Sequence, residues 1–228
     1  MEFQGIEKIS FVDWEGKICT TLFTGSCNFR CPFCHNAKLV DNCYQVVSEE
    51  EIFDHLKERR KVIDGVVVSG GEPTLQRELP EFLKKLKYLG FAVKLDTNGT
   101  NPAMLQYILD NKLVDYVAMD IKNNFEAYQP ITATKKNFSA LVKESLKCLR
   151  ESGVDYELRT TIVKEFHNEN NISLLAQDLK GEKTLYLQKF VASENCFNSN
   201  LTAVSKEEAE GFKQILAKTI QNVNLRGY

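Results

Sequence analysis

Short β-rich runs alternate with helical patterns along this chain, and the alternation narrows the possible folds more than any other feature of the sequence. Strand-like runs occur at Ile18–Phe23, Val66–Val68, Phe91–Leu95, Tyr116–Ile121, Tyr156–Val163 and Leu185–Phe190. The stretches between them carry helix signals. Ser48, with Glu51 three residues on, reads as a capping box that opens a helix with Ile52, Phe53 and Leu56 on its apolar face. Leu79, Phe82, Leu83 and Leu86 recur at helical spacing and stop at Gly90; Phe138, Leu141, Val142, Leu146 and Leu149 do the same before Gly153. A second box, Ser205 with Glu208, precedes Phe212, Ile215, Leu216 and Ile220 and predicts a terminal helix over about 205–221.

Such alternation builds right-handed βαβ units and therefore a parallel sheet. A complete eightfold barrel takes about 250 residues. With 228 residues and six strand-like runs, the expected fold is α/β, a partial (β/α)6 TIM-like barrel with parallel strands, as a single domain over 1–228. Chemistry should then gather at the C-terminal ends of the strands. Hydrophobic residues at 43%, charged residues at 26%, 12 Gly and 5 Pro exclude collagen-like, coiled-coil and disordered chains. A net charge of -2 gives no overall field that would draw nucleic acid or an anionic membrane. No apolar run approaches the roughly 18 residues of a membrane span, and the opening MEFQGIEKIS has no signal-peptide pattern, so a cytoplasmic location is expected. In that reducing setting seven cysteines, an odd number, are buried thiols or ligands rather than a disulfide framework.

Three of the seven stand together in Cys27-Asn28-Phe29-Arg30-Cys31-Pro32-Phe33-Cys34, a C-x3-C-x2-C spacing in a loop over 25–36 directly after the first strand-like run. Three thiolates in a short loop can wrap a cubane of four irons and leave one iron open to a ligand. A structural zinc site would need a fourth ligand, for which His35 and Cys43 are the local candidates. Cys31-Pro32-Phe33-Cys34-His35 also spells a haem-attachment string, a match that carries no weight without export. Cys19, Cys43, Cys148 and Cys196 read as small buried hydrophobes.

Other strand ends carry polar groups. Gly70-Gly71-Glu72-Pro73 closes the second strand-like run with two glycines that let a ligand approach the backbone, then a carboxylate. Asp96-Thr97-Asn98-Gly99 follows the third, a sequence that is also an ordinary turn, and Asp120-Ile121-Lys122 ends the fourth. Arg159 is a charge inside an apolar run, costly unless it meets a partner; a rim salt bridge is the plain alternative. His167 lies just past that run, at the expected mouth of the site, and His55 falls on a highly charged helix.

These motifs together resemble the radical S-adenosylmethionine (radical SAM) enzymes, whose cluster motif is C-x3-C-x-aromatic-C with Phe33 in the aromatic place. Within that superfamily, Phe11-Val12-Asp13-Trp14-Glu15-Gly16-Lys17 and Cys34-His35-Asn36 are similar to the activating enzymes of glycyl radical enzymes, nearest to those of anaerobic ribonucleoside-triphosphate reductase; Glu15 departs from the usual proline. The resemblance implies one 4Fe-4S cluster on Cys27, Cys31 and Cys34 and a S-adenosylmethionine pocket formed by Phe33, His35, Gly70, Gly71, Glu72, Asp96, Thr97, Asn98, Lys122 and Arg159. Glu72 would take the amino group and Lys122 and Arg159 the carboxylate, and Asp96 and Asp120, on neighbouring strands, are candidates to share a cation. It further implies reductive cleavage of S-adenosylmethionine to a 5'-deoxyadenosyl radical that takes hydrogen from one glycine of a partner protein, fed by a flavodoxin or ferredoxin-type reductant, with no nucleic acid or membrane partner. Two other functions compete: a radical SAM enzyme on a small molecule, as in deazapurine biosynthesis, and an iron-sulfur electron carrier, which has no use for Gly70-Gly71-Glu72 or Lys122.

Overall fold

The computed structural model describes residues 1–228. Eight strands form one sheet in sequence order: β1 (Phe3–Ser10), β2 (Cys19–Thr24), β3 (Gly65–Gly70), β4 (Ala92–Thr97), β5 (Tyr116–Asp120), β6 (Asp155–Ile162), β7 (Thr184–Lys189) and β8 (Asn222–Arg226). β1 is antiparallel to β2, and every other pairing is parallel. β1 and β8 do not pair with each other, so the sheet is a barrel left open. The helices are α1 (Ala37–Val40), α2 (Glu49–Glu58), α3 (Leu79–Tyr88), α4 (Pro102–Asp110), α5 (Tyr128–Thr132), α6 (Ser139–Ser152), α7 (Glu169–Asp178) and α8 (Lys206–Leu216). None is long and apolar enough to cross a membrane.

The six expected strands are β2 to β7. β1 and β8 flank them and escape the sequence pattern for a physical reason: each is an edge strand with most of its residues in contact with water, so neither shows a sustained apolar run. The terminal helix is shorter than expected. It ends at Leu216, and Ile220 is buried in the turn that leads into β8 rather than on the helix. Its capping box is complete, with the Ser205 side chain accepting from the Glu208 N–H and Glu208 accepting from the Ser205 N–H. Ser48 caps α2 with the same first bond. Leu141 is exposed on α6, while Val142, Leu146 and Leu149 face the core.

Strand alternation separates two environments. Val66, Val68, Val93, Leu95, Val117, Met119, Leu158, Leu185 and Leu187 face outward into one continuous core shared with the helices. The residues between them face the concave side, and most of these are polar: Lys94, Asp96, Asp120, Glu157, Arg159, Gln188 and Arg226. One end of this polar interior is plugged by the loop between β1 and β2. Trp14 packs there on Cys19, Val67 and Tyr116, Lys94 Nζ donates to the Asp13 carbonyl at 2.6 Å, and Thr21 donates to the Asp13 carboxylate at 2.6 Å. The Phe11–Lys17 motif is thus the floor of the barrel, at the opposite end of β2 from the cysteine loop.

Candidate active site

The cysteine loop leaves the C-terminal end of β2 and folds back over it. The Ser26 N–H donates to the Leu39 carbonyl at 3.1 Å, the Arg30 N–H to the Thr132 carbonyl at 3.1 Å, and the Cys34 N–H to the Cys31 carbonyl at 2.9 Å. All three thiols line a cleft of about 420 Å³ at the C-terminal ends of the strands. Two donors are aimed at Cys27 Sγ: the Phe29 N–H at 3.4 Å and Asn98 Nδ2 at 3.8 Å. Burial pushes the Cys27 and Cys31 thiols up to about 12 and raises Cys34 as well. Thiolates in such surroundings need a cationic centre to stabilise them.

The turn after β3 locks onto this loop. The Gly71 N–H donates to the Thr24 carbonyl and the Glu72 N–H to the Ser26 carbonyl, both at 2.9 Å. A Cβ on Gly71 would lie 1.8 Å from the Ser26 carbonyl oxygen, and Gly70 holds a φ of +115° that side chains disfavour. Asn36 Nδ2 reaches the Gly70 carbonyl at 3.2 Å, so the cysteine loop and the glycine turn share one backbone surface. Glu72 is buried beneath it. Its carboxylate accepts from the Thr74 N–H and hydroxyl, from the Thr97 hydroxyl at 2.7 Å and from the Asn98 N–H at 2.6 Å. Glu72, Thr97 and Asn98 therefore form one hydrogen-bonded unit that ties β3 to β4, and Asn98 extends it to Asn28 at 2.9 Å.

Deeper in the cleft, charges alternate. Arg159 on β6 lies between the two aspartates, with Nε 2.9 Å from Asp120 Oδ1 and Nη1 3.1 Å from Asp96 Oδ2. The cation these aspartates share is this guanidinium. Lys122 Nζ is 2.8 Å from Asp120 Oδ2. Burial works against the Asp120 carboxylate, yet Arg159 and Lys122 hold its pKa down to about 2. Asp96 Oδ1 is buried without a hydrogen bond, with Lys94 Nζ 3.8 Å away.

Phe33 and His35 both line the cleft: Phe33 is buried against Phe166, and His35 is exposed at the mouth with its ring 5.6 Å from that of Phe190. His167 is buried rather than at the mouth. Its Nδ1 accepts from the Val163 N–H at 3.0 Å and its Nε2 donates to the Lys122 carbonyl at 3.0 Å, which assigns the proton to Nε2 and makes it a support for Lys122. His55 is half-buried, within 3.2 Å of the Thr20 hydroxyl and 3.1 Å of the Lys8 carbonyl. Cys19, Cys148 and Cys196 are buried as expected; Cys43 is exposed in the loop after α1, where no core element covers it. Asp13, Ser69, Thr161, Gln188 and Lys189 also line the cleft. Gln188 and Lys189 close a parallel strand, the position at which the strand-end rule points, but their polar run carries no motif.

The residues present fit the expected cofactors. Three thiols from one short loop, all lining the same cleft, suit a multinuclear iron centre that keeps one corner open. The orphaned Asp96 oxygen and the Lys122 and Arg159 cations match a ligand with an ammonium and a carboxylate.

An open α/β barrel with a three-cysteine loop beside a cleft of paired charges at its strand ends has the architecture of an iron-sulfur enzyme. The sequence model of the radical SAM superfamily matches residues 21–176, and the chain belongs to that superfamily, whose enzymes use a 4Fe-4S cluster and S-adenosylmethionine. A Methanocaldococcus jannaschii protein assigned as a glycyl-radical enzyme activating enzyme is 32% identical over 228 residues, covering 97% of this chain and 94% of the relative. The pyruvate formate-lyase-activating enzyme of Clostridium pasteurianum is 33% identical over 184 residues, 77% of this chain and 74% of that enzyme. A crystallised domain of pyruvate-formate lyase-activating enzyme from Bacteroides vulgatus shares the fold, with a TM-score of 0.58 at 21% identity over 72% of this chain and 99% of that one.

Proposed function

We propose that this protein activates a glycyl radical enzyme, and that the partner is an anaerobic ribonucleoside-triphosphate reductase. The observation that carries the reading is the meeting of the cysteine loop, the Gly70-Gly71 turn and the Asp96, Lys122 and Arg159 charges in one cleft at the open end of the barrel. The activating enzymes to which the chain is similar along most of its length support the activity. The Phe11–Lys17 and Cys34-His35-Asn36 motifs support the reductase as partner.

When bound, the cluster and S-adenosylmethionine supply one-electron cleavage of a carbon-sulfur bond and hence hydrogen abstraction. The chain's own residues do the rest. Cys27, Cys31 and Cys34 would hold the cluster by three thiolates, one fewer than its four irons. Lys122 and Arg159, now paired with aspartates, would hold the ligand's carboxylate by charge-assisted hydrogen bonds, and the unpartnered Asp96 Oδ1 would accept from its ammonium. Glu72 acts through Thr97 and Asn98, whose positions its carboxylate fixes. Gly70 and Gly71 let the turn after β3 press against Thr24 and Ser26 and so hold the cysteine loop in place, and burial around the thiols excludes water. The electron comes from a flavodoxin or ferredoxin-type donor. A polypeptide loop carrying the target glycine enters through the open mouth.

Anaerobic reconstitution should load four irons per chain, and alanine at Cys27, Cys31 or Cys34 should abolish loading while alanine at Cys19 or Cys148 leaves it intact. Mixed with the reductase under reducing conditions, the enzyme should give a doublet in electron paramagnetic resonance from a glycine radical on the partner, absent when that glycine is alanine. Turnover of a purine-like small molecule with no radical on any glycyl radical enzyme would replace this reading with a small-molecule one.

A further inference from the structure

The segment from Phe190 to Asn198, between β7 and α8, grips the outer side of the cysteine loop. Four contacts join them: Phe190 meets the His35 ring at 5.6 Å, the Cys196 thiol donates to the Phe33 carbonyl at 3.9 Å, the Phe197 ring lies 4.5 Å from the Arg30 guanidinium, and the Asn198 N–H donates to the Pro32 carbonyl at 2.8 Å. Each lands on a residue between or beside Cys31 and Cys34. Cys196 is buried at the middle of this contact, and Ser193 holds its sulfur from the other side at 3.6 Å. The segment begins where Gln188 and Lys189 leave the cleft wall.

We propose that this segment is a clamp that keeps Cys31 and Cys34 in their ligating positions, with Cys196 and Phe197 as its positioning residues. The inference rests on the reading of Cys27, Cys31 and Cys34 as cluster ligands. An iron leaves a cluster when a thiolate detaches and swings away before it rebinds. A loop already held in the bound shape loses little entropy on ligation and returns a detached thiolate quickly. Binding is reciprocal: if the clamp favours the cluster, the cluster must favour the closed clamp.

Iron release from the loaded enzyme to a strong chelator under anaerobic conditions tests this without any turnover. Cys196→Ala and Phe197→Ala should each speed release by about threefold to tenfold, the effect of one lost hydrogen bond or cation–π contact. Cys196→Ser, which keeps a donor toward the Phe33 carbonyl, should stay near the wild-type rate. In the wild-type chain, amide hydrogen exchange over residues 190–198 should be slower when the cluster is loaded than when it is removed, a result that does not depend on any variant folding. Release at the wild-type rate from both alanine variants, or exchange that is the same with and without the cluster, would overturn the clamp. If the wild-type protein took up no iron, the ligand reading would fail instead.

Discussion

Arg159 shows how far a single residue could be read before any coordinates. A guanidinium inside an apolar run had to find a partner, and it found two carboxylates on neighbouring strands. Which two was not legible, because parallel register depends on contacts between distant segments. Lys122→Ala and Arg159→Ala should each weaken S-adenosylmethionine binding by about tenfold to a hundredfold in equilibrium dialysis, the worth of a charge-assisted hydrogen bond, while iron content stays unchanged. His167 acts one step further away. Burial holds its imidazole below the ordinary value of 6.5, so the folded state prefers the neutral ring that donates to the Lys122 carbonyl. The stability tied to that preference is complete above pH 6.5 and drains as the pH falls from there toward the lower folded value. Melting temperatures measured on both sides of that value should fall toward acid in the wild type, and fall less in His167→Gln.

Among the elements, the β3 turn places the greatest demand on sequence. Gly71→Ala puts a methyl into the Ser26 carbonyl, so the cysteine loop must move; iron loading should drop severely while far-ultraviolet circular dichroism stays near wild type. This turn and the cysteine loop were plain in the sequence, since spacing and glycines reveal local geometry. The central strands were also plain, because both their faces are covered and their apolar outward residues recur. β1 and β8 were not, for most of their residues face water, and the helix expected through Ile220 stops at Leu216 because the chain must turn to add a last strand. The joint role of Glu72, Thr97 and Asn98 was hidden for another reason: a carboxylate in a glycine turn can face a ligand or its own fold, and only the surrounding donors decide.

At the scale of the molecule, the last strand, laddered to β7, reaches the charged interior through Arg226. Arg226 places Nη1 and Nη2 each 3.3 Å from the Glu157 carboxylate, and Glu157 is otherwise served by Lys94 at 3.7 Å and the Tyr116 hydroxyl at 3.4 Å. Arg226→Ala leaves that buried carboxylate short of partners and should lower the unfolding free energy by about 1 to 3 kcal/mol in urea titration.

The same pairing of charges has a kinetic meaning for the cleft. Lys122 and Arg159 already share Asp120, and Arg159 also holds Asp96, so the interior presents little unbalanced field to anything in solution. On the proposed reading, the amino-acid end of S-adenosylmethionine would not fall into an electrostatic funnel there; it would trade places, its carboxylate displacing Asp120 from the cations and its ammonium engaging the oxygen Asp96 keeps idle. Capture by exchange should be slow relative to steered association and almost indifferent to ionic strength, and stopped-flow association rates at low and at high salt should differ by less than about twofold.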